Sequence, residues 1–215
     1  LLEKIRRRGE QLESQRFVRG RVGAMLREAH LPSLAKEIVS GRDLPASKTG
    51  RSILRLGLQK AFLKKAIDSR RGYQRVLPSA EKACLDLVQN TEKAHTLLWD
   101  FQHKKIGFQQ GAEMYEAAAE IMKEAQAAFK ADPKYNLGKL RDMGEKARGN
   151  ASMLRSNIAA GAKGSMLQVS QTEVFMAARV GEKLIERISK QLPEETQIGL
   201  ELVEDLVQEN LGGEQ

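Results

Sequence analysis

Two pairs of residues have the spacing of metal ligands. Glu92 and His95, and then Asp100 and His103, are each three residues apart. On a helix this spacing places a carboxylate and an imidazole on one face, as in the carboxylate-bridged di-iron sites of four-helix bundles. Such a site needs ligands from four helices, whereas both pairs fall in one predicted helix and no histidine follows His103. Because the spacing also arises by chance in charged helices, we predict no metal and no cofactor.

The segment from Gly41 to Ser52 has features of a phosphate-binding loop, since it contains glycines followed by Lys48 and Thr49. It lacks the Gly-x-x-x-x-Gly-Lys-Ser/Thr sequence, and no predicted strand precedes it. As a helix N-terminus beside Arg51 it could hold an anion, but this interpretation has little support from the sequence. The sequence also contains no nucleophile elbow, paired-cysteine metal site or dinucleotide-binding fingerprint. We therefore predict that the protein is not an enzyme.

The single cysteine, Cys84, falls among apolar residues of a predicted helix. It has no partner for an internal disulfide, and we interpret it as a buried structural thiol rather than a nucleophile. A chain without a disulfide framework is typical of a reducing compartment, so we expect a cytoplasmic location. The sequence shows no run of about 18 apolar residues that would span a bilayer and no signal peptide. It starts at Leu1 without Met, so whether it is a fragment lacking targeting signals stays open.

Basic residues are concentrated near the N-terminus. Of a net charge of +8, the first 80 residues carry 19 Lys and Arg against 7 Asp and Glu, and the remainder is net acidic. This asymmetry favours an anionic partner, either an acidic protein surface, nucleic acid or lipid headgroups. A solvated face that only maintains solubility is the alternative. The residues that we predict to bind the anionic partner are Arg6, Arg7, Arg8, Arg51, Arg55, Lys64, Lys65, Arg70 and Arg71.

Two of these partners define alternative functions. A short helix, a loop and a second helix between Pro32 and Arg71 have the order of a helix-turn-helix. Their loop has about eight residues, against three or four in that motif, and the second helix is too apolar to lie exposed in a groove. Sequence-independent nucleic-acid binding is therefore the second function considered. A peripheral membrane protein is the third, by analogy with helical proteins that coat anionic bilayers.

A long helix, predicted from Ser79 to Pro133, would organise the chain. From Ala80 to Phe129 apolar residues recur at alternating steps of four and three, and Lys105 is one of three exceptions. This alternation averages 3.5 residues per turn and keeps one apolar stripe on one side of a helix. A loop at Gly107 and Gly111 would divide the helix into a hairpin. Because the stripe continues across both glycines, we predict one continuous helix.

Three helices are predicted before this one. The first, Leu1–His30, is basic, and its apolar side consists of Leu1, Ile5, Leu12, Val18, Val22 and Met25. The second starts with Pro32 in its first turn and stops near Gly41. The third runs from Gly50 to about Arg71, and its apolar residues point in many directions. We therefore expect the third helix to be covered on more than one side.

The C-terminal part is also predicted to be helical. Asp132-Pro133 would start a helical run to about Gln191, with a turn at Gly161 and Gly164 as the alternative. Pro193 opens a short acidic helix that ends before Gly212. This last helix would either cap the bundle or dock on the basic N-terminal region of the same or a neighbouring copy.

These patterns predict an all-α fold without strands. Its architecture would be an elongated helical bundle on two long antiparallel helices, or four shorter ones, with a basic helical N-terminal subdomain. The predicted domains are a basic subdomain at 1–78, a long-helix bundle at 79–192 and an acidic helix at 193–215. The predicted function is a non-enzymatic helical assembly or adaptor protein that binds protein partners, including its own copies.

Overall fold

The computed structural model describes residues 2–42, 47–71, 79–164 and 170–211. Within these ranges the regular secondary structure consists of eight α-helices, with no strand, which confirms the all-α prediction. The helices are α1 (Leu2–Glu28), α2 (Leu31–Arg42), α3 (Lys48–Arg71), α4 (Ser79–His103), α5 (Phe108–Ala128), α6 (Leu137–Ala159), α7 (Thr172–Ser189) and α8 (Glu194–Leu211).

The chain folds into two compact units. Unit 1 contains Leu1–Lys82 together with Lys190–Gln215, and unit 2 contains Ala83–Ser189. Helices α1, α2 and α3 therefore share a unit with α8, the last helix of the described chain. The sequence left open whether the acidic helix caps the bundle or docks on the basic N-terminal region. In the structure α8 lies against the N-terminal helices α1, α2 and α3.

In unit 1, α3 is contacted by α1, α2 and α8. Leucines, isoleucines and a phenylalanine on several sides of α3 are buried, which confirms that more than one side is covered. At Gly199 α8 approaches α3 so closely that an added Cβ atom would lie 1.9 Å from Cζ of Phe62. The buried α3 side chains are Ile53, Leu54, Leu56, Leu58, Phe62, Leu63 and Ile67.

In unit 2, α5 lies against both α6 and α7. Its small residues, among them Ala117 and Ala118, are buried and allow close contact between helices. The buried Tyr115 hydroxyl of α5 donates a hydrogen bond to the Ser170 carbonyl. Burial, and secondarily the charge of Glu173, raise the pKa of Tyr115 to about 12, so the phenol remains a neutral donor at physiological pH.

The prediction of one continuous helix from Ser79 to Pro133 is wrong. Helix α4 ends at His103 and α5 begins at Phe108. The stripe calls for an apolar residue at Lys105, but Lys105 is exposed and the next residue, Ile106, is buried instead. The two helices are joined by a non-helical link, in which Gly107 has an extended backbone at φ −83° and ψ 175°. Four separate helices, α4 to α7, therefore occupy the region for which the sequence predicts two long helices or four shorter ones.

The predicted helix start at Asp132-Pro133 is also wrong, since α6 begins at Leu137. Asn136 is its N-cap, and the Asn136 side chain accepts a hydrogen bond of 3.1 Å from the backbone N–H of Lys139. Asp132 instead accepts a bond of 3.0 Å from the N–H of Lys134, which closes a turn before the helix. The predicted continuous run to about Gln191 is wrong as well, because α6 ends at Ala159. The structure has the alternative, a turn, in which Gly161 adopts φ +72°.

Candidate interaction surface

Three of the predicted arginines are consecutive residues of α1. Arg6 forms an ion pair with Glu10 (3.6 Å) and Arg7 with Glu3 (3.0 Å), each one helical turn apart. All four side chains are about two-thirds exposed or more, and such pairs contribute only about 0.3–0.5 kcal/mol. Arg6 and Arg7 could therefore exchange these carboxylates for those of a partner. Arg8 is exposed.

Arg55 has a carboxylate partner within the chain. Its guanidinium donates two hydrogen bonds to Glu204 of α8, from Nε at 2.6 Å and from Nη2 at 3.0 Å. This two-bond geometry is the strongest form of an Arg–carboxylate pair. The hydrogen bonds from Arg55 hold the pKa of Glu204 below its ordinary value. Arg55 thus joins α3 to α8 rather than presenting a charge to solvent.

The other predicted residues lie on α3. Lys65 is 3.6 Å from Glu28 of α1, so this pair links two helices of unit 1. Lys64 is exposed and Arg51 is half-buried. Arg70 and Arg71 lie outside the residues whose side chains are described.

The N-terminal part of α1 is exposed on every side. Each residue from Leu2 to Phe17 is exposed, whereas Val22 and Leu26 further along the helix are buried. We call Leu2–Phe17 the α1 arm. It exposes apolar side chains, with Ile5 at 60% and Leu12 at 50% of full exposure. Of the apolar side predicted for this helix, only Val22 is fully covered, and Leu1 lies outside the described residues.

Charge is divided unequally around α1. Successive residues of an α-helix are rotated by about 100°, and this rotation places four basic residues with Ile5 and Leu12 inside one third of the circumference. The same third also contains Val22 and Leu26, so it continues the buried stripe of the helix. We call this set the basic face of α1; it consists of Lys4, Ile5, Arg8, Leu12, Arg16 and Arg19.

The acidic residues of the same helix lie elsewhere. Glu3, Glu10 and Glu13 fall on the opposite side, where Glu3 and Glu10 pair with Arg7 and Arg6. The basic face contains no acidic residue. The described part of the chain offers no carboxylate partner within ion-pair distance of Lys4 or Arg8.

The basic face meets α8 where the arm ends. A cleft of about 240 Å³ is lined there by residues of both helices, and Arg21 lies 3.7 Å from Glu195. The apolar floor of this cleft is Ile198, which is buried. Arg19 of the basic face and Arg21, on another side of α1, thus already lie near acidic side chains of α8 within one chain. The lining residues are Gln15, Arg19, Glu194, Gln197, Ile198 and Glu201.

Helix α8 has an acidic face of its own. Glu201, Asp205 and Glu209 are exposed and follow each other at steps of four residues, which places them on one side of the helix. Leu202 and Leu206 flank them and are half-buried. We call these five residues the acidic face of α8.

The residues considered as metal ligands have structural contacts instead. His95 is buried in α4, and its Nε2 atom lies 3.5 Å from Glu182 of α7. His103 is stacked on Trp99 with a centroid distance of 3.8 Å. Within the described ranges no group of three or more His, Cys, Asp or Glu is arranged to hold a metal ion. Cys84 is buried, as the sequence predicted.

Sequence reasoning identified Arg8 but missed Lys4, Arg16 and Arg19 as members of the same surface. The sequence analysis selected Arg6, Arg7 and Arg8, although three consecutive residues span about 200° of a helix and cannot share one face. Plotting α1 at 100° per residue would have shown the basic face without a structure.

Comparison with protein families, characterised proteins and solved structures finds no match for this chain. In the described residues, no helix has both the length and the apolar character needed to cross a membrane.

Proposed function

We propose that the protein is a non-enzymatic helical assembly or adaptor protein whose α1 arm holds an anionic partner. The observation that carries this proposal is the basic face: Lys4, Arg8 and Arg16 project from a helix segment that is exposed on every side. Clustered charge on one face attracts and orients a partner of opposite charge. A basic N-terminal subdomain attached to a helical bundle, and a cytoplasmic location, are parts of the same proposal.

A partner would also bury apolar surface on the arm. Ile5 and Leu12 lie between the basic side chains and are at least half exposed. Burial of apolar surface contributes about 25 cal/mol per Å². Helices derive most of their stability from contact along one face, so a partner on the basic face would stabilise the arm as well as neutralise it.

The structure supports a role in binding the anionic partner for some of the predicted basic residues more than for others. Arg8 belongs to the basic face, and Arg6 and Arg7 stand beside it with exposed, weak ion pairs. Lys64, Lys65 and Arg51 remain accessible on α3 to different degrees. Arg55 is excluded from the proposal because Glu204 binds it.

Sequence-independent nucleic-acid binding is the second candidate. Phe17 is 67% exposed on the arm, and the Arg21 guanidinium lies 6.0 Å from its ring centroid. An exposed aromatic ring beside arginine is suited to stacking on a base. Against this candidate, α3 is buried on several sides, so it cannot enter a groove as a recognition helix.

The test compares three labelled polyanions: polyglutamate, a duplex DNA of arbitrary sequence, and vesicles with anionic lipid. We expect polyglutamate to bind at low salt and to dissociate as salt screens the contacts. Preference for DNA, with a steep decrease of log affinity against log salt, would favour the nucleic-acid candidate. Preference for the vesicles would favour the membrane alternative.

A matched pair of variants locates the binding surface. Arg8→Gln/Arg16→Gln removes two charges from the basic face, and Arg6→Gln/Arg7→Gln removes the same two charges elsewhere on the arm. We expect the first variant to weaken polyglutamate binding several-fold more than the second. Equal effects would mean that total charge, not the basic face, determines binding, and unchanged affinity in both would refute the proposal.

A further inference from the structure

We infer that the anionic partner of the α1 arm is the acidic face of α8 in a second copy of this chain. This inference rests on the proposed function and identifies its partner. The protein would then assemble through helix-on-helix contacts between the basic face of α1 in one copy and the acidic face of α8 in the other.

The charges on the basic face of α1 and on the acidic face of α8 have the same spacing along their helices. Lys4 and Arg8 are four residues apart on α1, and so are Asp205 and Glu209 on α8. At a rise of 1.5 Å per residue, each pair of charges is separated by about 6 Å along its helix axis. Two basic side chains of one helix can therefore meet two carboxylates of the other at the same time.

Apolar residues accompany both sets of charges. On α1, Ile5 and Leu12 lie beside Lys4 and Arg8, and both are at least half exposed. On α8, Leu202 and Leu206 flank the carboxylates and are only half-buried. Contact between the faces would place apolar side chains against each other at the centre and charges at the edges, as in specific protein interfaces.

A contact of the same chemistry exists within the chain. Arg21 lies 3.7 Å from Glu195, and Arg19 shares a cleft with Glu194 and Glu201. There α1 lies against the N-terminal part of α8, in which Ile198 is buried. The exposed carboxylates of Asp205 and Glu209 are nearer the other end of α8 and remain available to a second arm.

The contact would be reciprocal. Each copy carries one arm and one acidic face, so a two-fold arrangement uses both contacts at once. Closure into a dimer doubles the number of opposed charges without requiring a third copy. Because these charges are exposed, association should weaken strongly with salt.

The experiment uses charge reversal on the full chain, with mass measured by light scattering. The arm variant is Lys4→Glu/Arg8→Glu and the face variant is Asp205→Lys/Glu209→Lys. All four side chains are exposed, so both variants should keep the helical content of the wild type by circular dichroism. At low salt we expect a wild-type mass of about twice 24.0 kDa. In ~1 M salt, where the Debye length is about 3 Å, we expect the monomer mass.

Each variant alone places like charges against each other, and we expect its association to weaken at least about tenfold. When the two variants are mixed, opposite charges meet again at both contacts, and the dimer mass should return. The control Arg6→Glu/Arg7→Glu changes the same number of charges outside the basic face and should associate more like the wild type than the arm variant does.

Three results would overturn the inference: a monomeric wild type at low salt, variants that associate like the wild type, or a mixture that stays monomeric. The polyglutamate experiment separates this failure from that of the proposed function. If polyglutamate still binds and Arg8→Gln/Arg16→Gln still weakens it, the arm binds an anionic partner other than a second copy. If both experiments fail, the proposed function fails with the inference.

Discussion

Gly199 and Phe62 set the distance between α8 and α3. The Phe62 ring occupies the space that a side chain at position 199 would need, at 1.9 Å from an added Cβ atom. Phe62 is itself fully buried and cannot move aside without displacing its neighbours. The acidic helix can therefore dock at this depth only because residue 199 has no side chain.

We predict that Gly199→Ala destabilises unit 1, since overpacking of a filled core costs about 1–3 kcal/mol. Gly20→Ala is the matched control, because Gly20 is exposed within α1 and an added Cβ atom would meet no atom within 4 Å. The control should be stabilising by about 0.5–1 kcal/mol, as alanine is favoured over glycine inside helices. Urea unfolding of the two variants should give changes of opposite sign. Equal changes would show that α8 does not dock at this depth.

The Arg55–Glu204 pair makes stability depend on pH. Hydrogen bonds from Arg55 lower the pKa of Glu204 in the folded state. A carboxyl group of this kind contributes stability above its unfolded pKa of about 4.3, and the contribution is lost as the pH falls through the folded pKa. Because the Glu204 side chain is 38% exposed, solvent screening limits the contribution to about 1 kcal/mol.

We therefore predict a pH-dependent coupling between the two side chains. A double-mutant cycle of Arg55→Gln, Glu204→Gln and the double variant should give a favourable coupling free energy at neutral pH. The coupling should decrease as the pH falls below the unfolded pKa of about 4.3 and should be lost as the pH falls through the lowered pKa of folded Glu204. Unfolding by urea at several pH values measures it. A coupling that persists unchanged in acid would contradict the assigned ion pair.

Among the helices, the ones bounded by proline and glycine were predictable from sequence. Pro32, Gly41 and Pro193 mark the ends of α2 and the start of α8 to within one residue of the observed bounds. The break between α4 and α5 was not predictable from periodicity, because an apolar stripe does not reveal that burial moves from Lys105 to Ile106. Likewise, both Asp132 and Asn136 are good N-cap residues, and the sequence does not show which of them begins the helix. In the structure Asp132 instead lies 3.5 Å from Arg187.

The sequence was sufficient to predict that the candidate surface is basic, but not to predict all of the residues that form it. The charge count shows an excess of basic residues before residue 80. It could not show that Arg55 meets Glu204, because these residues are distant in sequence and paired only by the fold. Local helical geometry, in contrast, was sufficient to group Arg8 with Arg16.

The connections between helices depend on glycine to different extents. Gly161 has φ +72°, a left-handed conformation that costs other residues about 1–2 kcal/mol. Gly107 has φ −83°, which any residue adopts, and an added Cβ atom would meet nothing within 4 Å.

We predict that Gly161→Ala destabilises unit 2, whereas Gly107→Ala leaves stability unchanged or slightly raised. Thermal unfolding of both variants tests this, and destabilisation by Gly107→Ala would mean that the α4–α5 link needs glycine.

At the scale of the whole chain, two units share one polypeptide. Unit 1 is assembled from the first and last parts of the sequence, and unit 2 lies between them in sequence. Each unit has its own buried core, around Phe62 in unit 1 and around Tyr115 in unit 2. Cores of this kind can open separately, because local unfolding occurs in cooperative segments.

We predict that a destabilising substitution in the core of one unit increases local unfolding in that unit only. Amide hydrogen exchange of Gly199→Ala, read by mass spectrometry, should show faster exchange in α3 and α8 than in the wild type. Peptides from α5 and α6 should keep their wild-type protection. Equal acceleration in both units would mean that they unfold as one cooperative body.

The divided order of unit 1 also affects how the chain folds as it is made. The ribosome completes α3 well before it begins α8, since all of unit 2 is translated in between. At a synthesis rate of about 5–20 residues per second, the nascent α3 waits for seconds with Phe62 uncovered on the side that α8 will occupy. During that interval the growing polypeptide exposes an apolar surface that chaperones can recognise. Unit 2 can also fold while unit 1 is still incomplete.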